Sequence, residues 1–117
     1  MHFKEQHSFE DRRAEFIKIN DKWPNRIPII AEKYDGGQCK LPELDKKKFL
    51  VPDNLTFGQF LYVIRKRMNL PPETAIFLFL KDGFVPTSSS TVRSMYDKFK
   101  DEDGFCYCQY SGENTFG

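Results

Sequence analysis

The side chains able to do covalent chemistry are few in these 117 residues. There are two histidines, His2 and His7, and three cysteines, Cys39, Cys106 and Cys108. Both histidines lie far along the chain from the Cys106–Cys108 pair, and no signature of a Cys–His nucleophile surrounds either group. Cys106 and Cys108 are two apart on an expected strand, so they share a face but approach the outer limit of disulfide geometry. Reduced thiols acting as small apolar filler are the simpler expectation. A C-x-C pair with a distant histidine does not make a metal site. Catalysis, a metal and a cofactor are therefore not expected. The remaining chemistry lies in cations, in the Ser88-Ser89-Ser90-Thr91 run, which reads as a loop and cap able to accept phosphate, and in the terminal Gly117. That glycine closes a polar segment, Ser111 to Gly117, and a residue without Cβ can enter narrow enzyme channels. Phe116 beside it offers an apolar handle.

The cations cluster at Lys46-Lys47-Lys48 and Arg65-Lys66-Arg67. Lys plus Arg number 18 against 17 Asp plus Glu, a net charge of +1. A nucleic-acid binder working through its field would be far more basic, so no nucleic-acid partner is expected. Arg65 to Arg67 also suit the C-terminal end of a helix by the dipole alone. Acidic peptide residues, met by arginine's paired donors, fit Arg26 and Arg67 better. No stretch approaches the about 18–20 apolar residues of a membrane span, and no signal-peptide core follows Met1. Membrane contact would need an attached lipid or a partner.

The elements that must position these groups follow from spacing. The first 22 residues read as helical, with Ser8 as a cap and Phe9, Arg13, Phe16, Ile17 and Asn20 near one side. Trp23-Pro24 ends the helix. Arg26 to Glu32 is a strand apolar on both faces, in which Pro28 removes one ladder donor. Tyr34 to Pro42 is a loop. Lys46 to Pro52 is a strand whose lysines and terminal proline mark an edge. On it Lys46, Lys48 and Leu50 face one way and Phe49 and Val51 the other.

Thr56 and Gln59 form a capping box for a helix running to Met68 with Phe57, Phe60, Leu61 and Ile64 at helical spacing. Residues 75–80 are a buried strand, and Asp82-Gly83 signals a hairpin. Ser90 is expected to cap a short helix carrying Val92, Met95, Tyr96 and Phe99. Phe105 to Tyr110 is the last strand. The fold class is α+β: a ubiquitin-like β-grasp, with a four-stranded mixed sheet and a long helix on one face. Strands apolar on both faces need a second cover, and only the N-terminal helical segment can supply it. The organisation is an N-terminal helical part, 1–24, a core, 25–111, and a tail, 112–117, in one compact domain.

Several segments carry a family resemblance: Phe9-Glu10-Asp11-Arg12-Arg13, Pro24-Asn25-Arg26-Ile27-Pro28, Asp45 to Pro52, Gly58-Gln59-Phe60, Ile64 to Arg67, Pro86-Thr87-Ser88 and Asp101 to Phe105. In this order, over nearly the whole chain, they resemble the autophagy ubiquitin-like modifiers of the Atg-eight and GABARAP type. Trp23, where tyrosine is usual, and the Asp35 to Cys39 loop depart from the pattern. The resemblance implies two N-terminal helices on a ubiquitin-like core. It implies trimming by a cysteine protease, activation by E1- and E2-like enzymes and coupling of Gly117 to phosphatidylethanolamine. It places the protein in the cytoplasm and, once lipidated, on the autophagosome membrane.

The resemblance also implies cargo receptors with a W-x-x-L-type motif. Glu15, Ile19, Pro28, Ile30, Lys48, Leu50 and Phe105 would line the pocket for the aromatic residue. Phe49, Val51, Pro52, Leu55, Phe60 and Val63 would line that for the aliphatic one. Arg26, Lys46 and Arg67 match the basic positions beside the motif. The alternative is an unconjugated β-grasp peptide adaptor in vesicle trafficking. Physically, an edge strand can accept an extended peptide, with a crevice on each side of it. Burying an indole and a leucine, about 300 Å² at about 25 cal/mol per Å², gives roughly 7 kcal/mol before ordering costs. Micromolar affinity, near about −8 kcal/mol, is the expected scale.

Overall fold

The computed structural model describes residues 2–35 and 41–112. Its elements are α1 (Phe3–Gln6), α2 (Phe9–Lys22), β1 (Arg26–Lys33), β2 (Lys48–Pro52), α3 (Phe57–Met68), β3 (Phe77–Phe79), a 3-10 turn (Lys81–Gly83), α4 (Val92–Phe99) and β4 (Cys106–Ser111). The sheet order is β2-β1-β4-β3. β1 is parallel to β4 and antiparallel to β2, and β3 is antiparallel to β4. α3 thus joins two edge strands that run in the same direction, while the adjacent parallel pair is the first and last strand. The sheet is the expected mixed β-grasp.

One face of the sheet buries Ile27, Ile29, Ala31, Phe49, Val51, Cys106, Cys108 and Tyr110 against α3 and α4. The alternate residues Ile30 and Phe105 turn to the outer face, where Phe3, Phe16, Ile19 and Tyr107 enclose them. α1 and α2 therefore supply the second cover that two-sided apolar strands demand. Thr56 accepts from the Gln59 amide and Gln59 returns to the Thr56 amide, completing the capping box.

Four local expectations are corrected. On α2 the sheet-facing side is Arg12, Phe16 and Ile19, while Phe9 and Ile17 stay exposed. The helix is turned by an ion pair between Arg12 and the buried Asp103, which a count of apolar residues does not register. Asp82-Gly83 does make a tight left-handed turn (φ 60° and 75°), closed by the Leu80 amide donating to the Phe84 carbonyl at 2.7 Å, but no strand follows it, and the sheet partner of β3 is β4. The α4 cap is Thr91, whose hydroxyl accepts from the Ser94 amide. Thr91 bridges to Thr56, which fixes its extended backbone one residue beyond Ser90. Finally, β2 begins at Lys48, although the Lys47 carbonyl still accepts from the Ala31 amide at 2.8 Å.

Candidate functional site

β2 has β1 on one side and no strand of the sheet on the other. The register pairs Ile29 with Phe49 and Pro28 with Leu50. The Ala31–Lys47 bond sets which pairs are hydrogen-bonded, and alternation then turns the backbone groups of Lys48 and Leu50 outward. Those are the groups an added strand would use. Pro28 falls opposite Leu50 in a non-bonded pair, and parallel pairing with β4 begins only at Ile29. Its missing amide therefore removes no bond between β1 and β2. The Arg26 guanidinium reaches toward the Leu50 carbonyl at a long 3.4 Å.

On the outer side, Lys48 and Leu50 are half-buried beside α2. Lys48 is ion-paired with Glu15, which stands on α2 one helical turn before Ile19. Pro28, Ile30 and Phe105 are buried, so they form the floor beneath these rim residues. A groove of about 590 Å³ is lined by Phe3, Gln6, Lys46, Lys47, Lys48 and Leu50. Two of these residues, Phe3 and Gln6, come from α1 and were not foreseen. Phe3 packs edge-on against Phe105, with ring centroids 5.4 Å apart. Its amide donates to the Glu32 carboxylate at 2.7 Å. A lone aromatic in an otherwise polar opening turn was the available signal.

On the inner side, Phe49, Val51 and Phe60 belong to the main core, and Phe49 meets Phe60 edge-on at 5.6 Å. The accessible rim is Pro52, Leu55 and Val63, the last 41% exposed. Lys46 lies over the Phe49 ring at 5.0 Å. Arg67 is held by Asp45 through two bonds of 3.1 Å each. Asp45, like Phe3, was not among the expected site residues. The predicted positions thus gather on both sides of one edge strand, as floor or rim. Gly117 and Cys39 lie outside the described residues.

Cys106 and Cys108 lie in the main core and take no part in this site. Burial pushes the Cys106 thiol up to about 12 and raises Cys108 well above its ordinary value. The thiolate is the reactive form, so neither is a competent nucleophile. Among the described residues no three His, Cys, Asp or Glu side chains gather as metal ligands. Nor is any described helix long and apolar enough to cross a membrane.

Residues 11–117 match the family described as "Autophagy protein Atg8 ubiquitin like". Autophagy-related protein 8 of Mycosarcoma maydis is 55% identical over 115 residues, 98% of this chain and 95% of its own length. Autophagy-related protein 8 of Saccharomyces cerevisiae is 53% identical over 98% of this chain and 96% of its own. The crystal structure of Trypanosoma brucei ATG8 superimposes with a TM-score of 0.89 at 45% identity, covering 100% of this chain and 98% of that one.

Proposed function

The chain belongs to the ubiquitin-like Atg8 family of autophagy proteins, and on that premise we propose that it is a covalent modifier that is coupled through Gly117 to phosphatidylethanolamine and recruits receptors through the β2 groove. The observation that carries the recruiting half is the edge strand itself. Lys48 and Leu50 present backbone donors and acceptors outward, with an apolar surface on each side. An extended peptide adds to such an edge by main-chain bonds, and side chains three apart reach the two surfaces. A W-x-x-L-type motif has this spacing.

The attaching half rests on the family and on the sequence of the tail. Gly117 would pass from an E1-like to an E2-like enzyme and then to the lipid amine, and a cysteine protease would expose or release it. The protein is then consumed and recycled and is not itself an enzyme. It would sit in the cytoplasm until lipidation holds it on the autophagosome membrane. The test mixes the full chain with E1, E2, ATP and phosphatidylethanolamine liposomes. A mass increase that disappears in Gly117→Ala supports the modifier. No adduct, where a known family member reacts, overturns it and leaves an unconjugated adaptor.

A further inference from the structure

Two of the groove's cations are already ion-paired in the free protein. Lys48 is paired with Glu15 on α2, and Arg67 with Asp45 on the segment entering β2. The second pair has the stronger geometry. Both the Nε and a terminal nitrogen of Arg67 donate, one to each Asp45 oxygen, both at 3.1 Å. This is the fork arrangement in which arginine recognises carboxylates. Arg67 also stands one helical turn beyond Val63, on the same side of α3. The pair therefore lies at the end of the crevice whose rim Val63 forms. Both partners are substantially exposed, with side chains 38% and 68% accessible, so the bond is open to exchange.

We propose that Asp45 is a specificity-determining residue of the groove, a built-in carboxylate that a bound peptide's acidic side chain must displace from Arg67. The inference rests on the peptide-groove reading. An acidic residue in the peptide gains the Arg67 contact only after the Asp45 contact is given up, so its net contribution is small. A neutral residue gains nothing there and loses nothing, because Asp45 keeps Arg67 paired. Asp45 therefore compresses the difference between acidic and neutral peptides and lets apolar fit dominate selection.

The experiment uses the full chain and synthetic W-x-x-L peptides. The two residues between Trp and Leu, and the one after Leu, are each either Glu or Gln. Affinities are measured by calorimetry for the unaltered protein, Asp45→Asn, Arg67→Gln and the double variant. Asp45→Asn frees the guanidinium while keeping the side-chain size. At one of the scanned positions it is expected to raise the Glu-over-Gln preference about two- to fivefold, the range of an exposed ion pair. That gain shrinks with added salt and vanishes in the Arg67→Gln background. A preference that is unchanged or lower in Asp45→Asn, or one that rises equally without Arg67, overturns the proposal while leaving the groove intact. If no peptide binds the unaltered protein, the groove reading fails and the inference falls with it.

Discussion

Arg12 on α2 places Nη1 2.6 Å from the Asp103 carboxylate just before β4, and both side chains are buried. Tyr107 donates to the same oxygen at 2.6 Å, and the Phe105 amide donates to the other at 2.8 Å. The cluster ties the N-terminal helices to the sheet and sets which face of α2 meets Phe105 and Ile30, the floor of the outer pocket.

Asp103→Ala should therefore be among the most damaging substitutions outside the apolar core. It leaves a buried guanidinium without its charge partner, which costs about 3–5 kcal/mol. Arg12→Met keeps much of the volume but strands the Asp103 carboxylate, so it should also destabilise. The double change to apolar residues of matching size should be milder than the sum of the two. Chemical denaturation of the four proteins measures this. Additive losses would mean that the pair is not a unit.

Gly104 sits next to this cluster with φ +100°, a conformation that disfavours any Cβ, and an added Cβ would lie 2.3 Å from the Phe16 ring. Gly104→Ala should cost about 1–3 kcal/mol from the backbone alone and push Phe16 off Phe105. Amide hydrogen exchange in α2 should rise relative to α3. Equal exchange in the two helices would place the strain elsewhere.

The groove is best probed at its rim. Phe49 is core, so Phe49→Ala costs about 3–5 kcal/mol and confuses binding with folding. Leu50→Ala with Val63→Ala removes half-exposed side chains from opposite sides of β2 and leaves that core in place. Binding of a W-x-x-L peptide should weaken at least about tenfold, roughly 1.4 kcal/mol, while the thermal midpoint falls only slightly. Full micromolar binding by the folded double variant would move the peptide off this strand.

His2 clasps α1 to the sheet. It is hydrogen-bonded to Asp35 and lies 3.3 Å from Glu32, with Glu5, Lys33, Glu43 and Lys47 around the same cleft. The Asp35 hydrogen bond is the main cause that holds the imidazole pKa above its usual 6.5, with the Glu32 charge adding to it. A folded-state value above the unfolded one stabilises the docked helix fully below about pH 6.5. That contribution is lost as pH rises through the raised value. Hydrogen exchange of the α1 amides should accelerate across this window beyond its intrinsic pH dependence, and His2→Asn should remove the excess. A pH profile unaltered in His2→Asn would mean that the clasp does not hold α1.

The elements themselves were legible from residue types and spacing. β-branched runs, the Thr56–Gln59 box and the proline stops act locally, within one turn or one strand. The two-sided apolarity of residues 27–31 even required the N-terminal cover, because burial has to balance on both faces. The family resemblance named groove residues that stand on one edge strand and on the elements flanking it. The tertiary structure decided what depends on partners distant along the chain. Asp103 turned α2 away from its apparent apolar stripe, since a buried charge outweighs the exposure of Phe9 and Ile17. The Asp82-Gly83 turn led into no second strand, and β3 found its partner in β4, distant along the chain. Asp45 reached Arg67 across 22 positions, placing a competing carboxylate at the groove that no local pattern encodes.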